Sequence, residues 1–521
     1  MVVAVAVVVR SGSSSSRSSP PPAGPSASRT LGAPGHDRVA AAPAGATRIT
    51  PQGVVASWVQ TENARPGTTT WKLPKPTKSH EIEGYADQVS IDIGGHVALY
   101  VSTPAPTFTA VAFRMGYYGG TQARQVWASP ATPGRSQASC PVTSGIQMVQ
   151  CQWVDPLAVQ TTAKDWPPGD YLFKLESSDG FGSYIPLTIR DDASHAAYLI
   201  NNSVTTWEAY NQYGSYSLYA GPSPGGQSLA ARSHVVSFDR PYDFGVGTGD
   251  FVNQELRMAS ITESLGLDVS YTTDVDLHAN AARLTQHRVF LSLGHDEYYS
   301  LAMRDGLQAA RDAGVNLVFM GANAVYRHIR LQPSPLGPNR QEIDYRDASL
   351  DPLTATDPAD STPAAWRSPP NNRPESSLLG EMWRCNPVSA DMVITDPGNW
   401  MLAGTGLNAG DHLRDVIGTE YDSFRAADPG PGNVEIVAHS PVNCVGRSDY
   451  ADLTYYTASS GAGVIDTGSI LFIGSVDVVP TPGTPAVQVT QITKNILASF
   501  GLGPAGRQHP SMPNTASLPG V

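Results

Sequence analysis

The chain has 521 residues and only four cysteines, Cys140, Cys151, Cys385 and Cys444. No Cys-x-x-Cys pair and no Cys/His spacing is present, which argues against the usual structural zinc sites. Charge is also sparse. Asp, Glu, Lys and Arg make up 15% of the residues, and 46 acids against 34 bases leave a net charge of -12. There is no basic stripe, which argues against nucleic acid as a partner. No run is long and apolar enough to span a bilayer. Four familiar catalytic spacings are missing: His-Glu-x-x-His, a Walker loop, the dinucleotide glycine fingerprint and a Gly-x-Ser-x-Gly elbow. A covalent Ser or Cys mechanism is therefore not suggested.

Glycine (49), proline (43) and tyrosine (21) are plentiful instead. Together with low charge they suit a turn-rich exported protein better than a helical cytosolic one. In an oxidising compartment Cys140 and Cys151 could close the short segment between them, and Cys385 and Cys444 could pair. Spacing does not fix that connectivity, and four buried thiols are the alternative. Residues Met1 to Val9 are apolar and end at Arg10. They are too short for a span and resemble part of a signal-peptide core without its basic start, so export with an incomplete leader or a misassigned start is expected. The Ser, Pro, Gly and Ala-rich stretch from Ser11 to Ala46 cannot bury enough apolar surface to order itself, and reads as a leader.

From Ile49 to Arg190 the pattern is one of short β-branched and aromatic runs parted by turns. Val89–Ile93, His96–Ser102, Ala110–Met115, Tyr171–Ser177 and Tyr184–Ile189 are the clearest strands. Regular short strands without helical period predict an Ig-like β-sandwich. After Asp191, strands and helices alternate. Strands are expected at Ala196–Ile200, Val235–Phe238, Val269–Thr272, Arg288–Leu293 and Val315–Met320. Helices are expected at Asn253–Leu265, capped by Gly266, and at Ser300–Ala313, ending at Gly314. This order predicts a mostly parallel sheet of the Rossmann-like or amidotransferase-like kind, covered on both faces. Pro333 to Pro374 reads as long loops. A strand near Ile470–Ile473, a helix near Val487–Ser499 and a loose tail from Pro504 close the chain. The expected class is α/β with an N-terminal β-sandwich. Its divisions are a leader at 1–48, the sandwich at 49–191, the α/β domain at 192–503 and a tail at 504–521.

In an open parallel sheet, ligands bind beyond the carboxyl ends of the strands. Three expected strands end in polar residues there: Asn201-Asn202, Gly294-His295-Asp296-Glu297 and Gly321-Ala322-Asn323. A helix following Gly294 points its positive end to the same place. The titratable run His295-Asp296-Glu297 is thus the best site that topology supplies, set against simple helix capping by acidic residues at about even odds. A carboxylate with histidine and tyrosine neighbours could do acid-base work on glycosides or bind a hard metal such as Fe(III).

Several ordered segments carry a resemblance. They are Ser203–Asn211 (Ser-Val-Thr-Thr-Trp-Glu-Ala-Tyr-Asn), Ser237–Tyr242 (Ser-Phe-Asp-Arg-Pro-Tyr), Gly294–Ser300 (Gly-His-Asp-Glu-Tyr-Tyr-Ser) and Asn371–Glu375 (Asn-Asn-Arg-Pro-Glu). Upstream stand Arg114–Gly120 (Arg-Met-Gly-Tyr-Tyr-Gly-Gly) and Trp166–Tyr171 (Trp-Pro-Pro-Gly-Asp-Tyr). Together, over Ile49 to Gly501, the chain resembles the N,N-dimethylformamidase large (beta) subunit family. That resemblance implies a hydrolase acting on the C–N bond of a small-molecule amide. It implies a mononuclear Fe(III) held by two tyrosinates and one glutamate, with water activated by the iron.

By motif position Glu297 resembles the carboxylate ligand, His295 a neighbouring histidine and Asn323 an active-site asparagine. Tyr210 resembles one tyrosine ligand. Tyr171 is chosen as the other by spacing, with Tyr219 and Tyr242 as alternatives. Arg346 stands where a lysine is expected, which leaves the role of that position open. Glu420, in Gly-Thr-Glu-Tyr, resembles a further acidic group. The resemblance also implies a small partner subunit, and a homo-oligomer is the other arrangement considered. Two competing readings stand beside this one. One is a secreted carbohydrate- or cell-wall-binding protein using Trp58, Trp71 and Trp153. The other is a glycoside hydrolase using Asp296, Glu297 or Glu375.

Overall fold

The computed structural model describes residues 46–243 and 248–521. The leader expected at 1–48 lies almost wholly outside them. The described chain is a mixed α/β protein with strands in several sheets.

In the N-terminal part, Ser90–Asp92, Gly182–Arg190, Gly169–Ser177, Thr107–Met115 and Ala123–Ala128 lie side by side in one sheet. Leu157–Gln160, His96–Ser102 and Glu83–Ala86 form a second, three-stranded sheet. Every second residue points inward, as the strand period requires. Val97, Leu99 and Val101 of the smaller sheet thereby join Ala110, Phe173, Leu175, Ile185 and Leu187 of the larger in one apolar cluster. Trp71 and Trp153 are buried, at 4% and 6% exposure, and are packing groups rather than a glycan-gripping surface.

The quoted motif at Arg114 finds its reason here. Its guanidinium meets the Glu263 carboxylate at 2.5 and 3.0 Å, with both side chains fully buried. Arg114 also donates to the Pro168 carbonyl at 2.8 Å. A Cβ at Gly169 would lie 2.9 Å from its Nε, so the Trp-Pro-Pro-Gly segment must pass this cation as glycine. Asp170, next in that segment, accepts from Asn202 Nδ2 at 2.5 Å.

The site is built on a seven-stranded sheet. Its order is Val269–Thr273, Tyr198–Asn202, Val289–Gly294, Asn316–Gly321, Gly463–Asp466, Arg447–Thr457, Glu435–Cys444. The first five strands pair in parallel and the last two antiparallel. The parallel strands are buried throughout, which is why they read as continuous apolar runs. From Tyr198–Asn202 the chain first moves outward to Val269–Thr273. It then returns to the other flank at Val289–Gly294, so the order reverses between these neighbours. Such a reversal opens a crevice at the carboxyl ends of the strands.

Several expectations need correction. Ile470–Gly474 is a helix, not a strand. A short apolar run is ambiguous by period, and the left-handed turn at Gly468 (φ 62°) with extended Ser469 ahead of it starts a helix. Pro333–Pro374 is not all loop, since Gly337–Ile343 is a strand paired with Arg327–Ser334. The tail from Pro504 is tied down rather than loose. Ser511 and Asn514 bond to Asn433 and Ile436, and His509 stacks 4.8 Å from Trp400. Both cystine bridges form, Cys140–Cys151 and Cys385–Cys444. The second ties the long hairpin Met382–Val393/His412–Ser423 to the edge of the main sheet. Among the described residues no helix is long and apolar enough to cross a membrane.

Candidate active site

Two glycines shape the crevice. The Val289–Gly294 strand ends with Gly294 at φ 65°, a left-handed turn that releases His295, Asp296 and Glu297 from the ladder. Its neighbour ends at Gly321, where a Cβ would fall 1.6 Å from the Gly294 carbonyl oxygen. The two strand ends can approach only without a side chain there. After Glu297 the chain makes the short strand Tyr298–Ser300, and Ser300 then caps the helix Leu301–Asp312 by accepting from the Met303 amide.

Glu297 is the centre of the site. Its side chain is 1% exposed, and Oε2 accepts from the Tyr219 hydroxyl at 2.7 Å and lies 3.1 Å from the Tyr210 hydroxyl. The two hydroxyls are 2.7 Å apart and the rings stack at 4.2 Å. Tyr210 closes the helix Val204–Tyr210 that follows the Tyr198–Asn202 strand. Tyr219 comes from the loop beyond it, which is pinned to the same helix by the Leu218 amide donating to the Ala209 carbonyl. The other oxygen, Oε1, takes Arg327 Nε at 3.2 Å. The Thr206 hydroxyl accepts the Glu297 amide at 2.9 Å, which fixes the backbone behind the carboxylate.

Charge explains the protonation state of Glu297. Burial opposes its ionisation, but His295, Arg327, Arg346 and the Tyr219 hydrogen bond outweigh burial and hold the carboxyl below its ordinary value. The two phenols go the other way. Burial first, and then the Glu297 charge, keep Tyr210 and Tyr219 above the usual tyrosine range. Burial also works against a charged His295, yet Glu420, Glu297, Asp250 and Asp296 raise its pKa overall.

His295 Nε2 lies 3.4 Å from Glu297 Oε2, 3.9 Å from Glu420 Oε1 and 3.3 Å from Asn323 Nδ2. Asn323 sits in the left-handed region, φ 62°, with its amide held by both oxygens of Asp422 at 2.8 and 3.1 Å. Its Oδ1 is buried and has no hydrogen-bond partner among the described residues. Glu420 is clamped by Trp383 Nε1 at 2.6 Å and Asn386 Nδ2 at 2.9 Å. Arg346 lies 4.0 Å over the Tyr219 ring, and its guanidinium is oriented by Asp344 at 2.9 Å and donates to the Tyr298 hydroxyl.

Six of the seven residues singled out in the sequence therefore surround one place: Tyr210, His295, Glu297, Asn323, Arg346 and Glu420. Tyr171 does not join them. It lies in the N-terminal apolar cluster, stacks on Trp166 at 5.3 Å and spends its hydroxyl on the Pro167 carbonyl at 2.6 Å. Tyr242 packs edge-on to Trp207 and also stays away from Glu297. Tyr219, the other alternative, is the tyrosine that stands beside Tyr210 and Glu297. Asp296 faces inward, where Ser292, Tyr299 and Asn201 donate to its Oδ2 at 2.7, 2.5 and 3.2 Å. Glu375 is bound by Arg367. Neither offers an open carboxylate for glycoside chemistry.

The sequence reading missed Arg327, Tyr326, Trp383 and Asp274, whose Oδ1 accepts from Asn201 Nδ2 at 2.7 Å behind the site. Only their neighbours in space mark them. Among the described residues no three His, Cys, Asp or Glu side chains cluster as metal ligands, so any ion at Glu297 would depend on the two phenols.

No curated protein matches the chain. Among solved structures, a Paenibacillus cycloisomaltooligosaccharide glucanotransferase bound to cycloisomaltoheptaose aligns at 8% identity and a TM-score of 0.17, covering 62% of this chain. The chain spans 63% of that protein's length, and the likeness is too slight to bear on the fold or the site. The family model for "N,N-dimethylformamidase beta subunit-like, C-terminal" matches residues 109–486, and the chain belongs to that family.

Proposed function

We propose that this protein is an exported, metal-dependent amide hydrolase, cleaving the C–N bond of a small amide with water. The observation that carries this reading is the oxygen triangle. Tyr210 Oη, Tyr219 Oη and Glu297 Oε2 lie 2.7, 2.7 and 3.1 Å from one another. Those spacings match neighbouring donors on one face of an octahedron around an ion at about 2.0–2.1 Å. The donors are also of the right kind, since phenolate and carboxylate oxygens suit a hard ion such as mononuclear Fe(III). Burial disfavours both phenolates in the absence of a cation, and a trivalent charge at the triangle would reverse that balance.

The triangle would hold the ion, which when bound supplies the Lewis acidity that makes water a nucleophile near neutral pH. The remaining steps belong to the chain. The water oxygen forms a bond to the acyl carbon, the C–N bond breaks, and one water proton ends on the departing nitrogen. The products are a carboxylic acid and an amine. His295, within 3.9 Å of both Glu297 and Glu420, is placed to carry that proton, and the clamped Glu420 holds the imidazole in position. Arg327 keeps Oε1 occupied so that Oε2 faces the tyrosines. Arg346 fills the position of the expected lysine and steadies Tyr219 from its ring face.

The finer architecture proposed is an Ig-like sandwich at 49–191 followed by a Rossmann-like or amidotransferase-like sheet domain at 192–503. Two cystine bridges support an oxidising compartment. The beta-subunit-like family supports a small partner subunit or a homo-oligomer.

Metal analysis of the purified protein tests the reading. About one iron per chain is expected, with a visible tyrosinate-to-iron band that is lost in Glu297→Gln and shifted or weakened in Tyr219→Phe. Protein that takes up no metal on reconstitution and cleaves no amide would sink it.

A further inference from the structure

We propose that a cavity beside the helix Val204–Tyr210 is a binding site for a small N–H-donating cation, ammonium or methylammonium, seated on Asp170. Asp170 and Thr188 reach it from the paired strands Gly169–Ser177 and Gly182–Arg190, and Asn202 from the end of Tyr198–Asn202. Trp207, Phe238, Tyr242 and Phe251 add aromatic rings to the lining. The cavity is separate from the oxygen triangle, since none of Tyr210, Tyr219 and Glu297 lines it. Size limits the ligand. About 20 Å³ can hold the centre of a water-sized sphere, which is room for one or two heavy atoms.

Chemistry limits it further. Asp170 is the one carboxylate of the lining, and no Arg, Lys or His stands there among the described residues. Asp170 is 3% exposed. Its Oδ1 accepts from Asn202 Nδ2 at 2.5 Å, and the Thr188 hydroxyl donates to the same carboxylate. Its Oδ2 is buried without a hydrogen-bond partner among the described residues. The Thr188 hydroxyl has one proton, already given to Asp170, so Thr188 accepts from Asn202 Nδ2 at 2.8 Å. Both contacts therefore take the NH2 edge of Asn202, and its Oδ1 is left buried and without a partner too.

Donors gathered on a carboxylate favour its charged form. Burial works against that charge and pushes Asp170 up to about 7, although Asn202, Arg114 and Thr188 oppose it. Arg114 is already paired with Glu263, so the counter-charge is missing. A water would fill the space but bring no charge. An ammonium ion has the same size, brings the charge, and offers N–H donors to both bare oxygens. Its remaining face suits aromatic rings, which attract cations, tryptophan most of all. The Trp207 ring centroid lies 5.8 Å from that of Phe251 and 6.5 Å from that of Tyr242, so three rings gather along the lining. Sodium and potassium carry no N–H and are best served by a shell of oxygens, of which the lining leaves two bare.

The test uses the full-length protein at about pH 8, where Asp170 is ionised. Ammonium, methylammonium, sodium, potassium and tetramethylammonium chlorides are compared at equal ionic strength. At about 100 mM, ammonium and methylammonium should raise the thermal midpoint by about 2 °C over sodium and potassium. Tetramethylammonium, too large and without an N–H, should not. Asp170→Asn keeps the shape, removes the charge and should abolish the rise. Phe251→Leu trims the ring wall, leaves Asp170 in place and should weaken apparent affinity about threefold or more.

Crystals grown with methylammonium separate a ligand from a buried water. Density for two bonded atoms at Asp170 Oδ2, absent from crystals grown with sodium, sustains the site. The same single peak in both is one buried water only and overturns it. Equal midpoints in all five salts, or a rise that survives both variants, overturn it as well. If Asp170→Asn does not fold, Phe251→Leu decides: a weakened rise sustains the site, and an undiminished one overturns it.

Discussion

Breaking the Arg114–Glu263 pair should cost stability far from the site while leaving the site's chemistry alone. Both side chains are fully buried, and two hydrogen bonds of 2.5 and 3.0 Å join them. Glu263 also receives Asn63 Nδ2 at 2.9 Å and the Tyr271 hydroxyl at 2.7 Å. Arg114→Met leaves that carboxylate without its cation, and Glu263→Gln leaves the guanidinium without its anion. Either loss is expected to cost about 3–5 kcal/mol, because an uncompensated buried charge remains. Arg114→Met combined with Glu263→Gln removes both charges, so the double variant should be more stable than the sum of the single losses by about 2 kcal/mol or more. Urea denaturation followed by tryptophan fluorescence measures all four proteins. The tyrosinate-to-iron band expected from the proposed function, read below the transition, should be the same in each. A coupling below about 0.5 kcal/mol, or a band that changes with Arg114, would refute the reasoning that this motif is a strut between the N-terminal strands and the helix Leu256–Ser264.

Three further outcomes are expected. His328 is fully buried with Nδ1 on Asn371 at 2.9 Å, and burial, with the nearby arginines adding, depresses its pKa to about 4. Folding therefore favours the neutral ring, the unfolded chain binds the extra proton between pH 6.5 and 4, and stability falls as pH falls through that window. Against His328→Asn, wild type should lose about 3 kcal/mol more between pH 6.5 and 4, and parallel pH curves would count against it. Gly321→Ala should cost about 3 kcal/mol or more and abolish the metal uptake proposed for the site, because its Cβ would fall on the Gly294 carbonyl; chemical denaturation and metal analysis check both. Tyr171→Phe removes one buried hydrogen bond to the Pro167 carbonyl and should cost about 1 kcal/mol with the iron band intact. Loss of the band in that variant would return Tyr171 to the metal.

Much of the main sheet was legible because parallel strands are buried on both faces and so appear as unbroken apolar runs. Val289–Gly294 and Asn316–Gly321 fall within a residue of expectation for that reason, and each announces its end with glycine. The hairpin Met382–Val393/His412–Ser423 was not legible. Its register shifts between Trp383 and Cys385, Cys385 and Val388, and Ala390 and Met392, so the period-two signal never accumulates. That hairpin carries Trp383, Asn386 and Glu420, and the rim of the site was hidden with it.

The two tyrosines show where reading along a chain stops being enough. Tyr171 lies in a segment with a recognisable motif and reads as functional, yet the motif exists to pass Arg114, and strand alternation turns the Tyr171 ring into the core. Tyr219 lies in a loop with no period and no motif, and stands in the sequence only as an alternative to Tyr171. What brings it to Glu297 is one backbone bond from Leu218 to the end of the helix that already holds Tyr210. A loop residue is placed by what its neighbours are tied to. The helix is tied to the Tyr198–Asn202 strand, and Glu297 to the adjacent Val289–Gly294 strand, on either side of the point where the sheet order reverses. The reversal therefore does more than open a crevice. It brings two stretches of chain, each rigid for its own reasons, close enough that three oxygens lie within hydrogen-bond distance of one another.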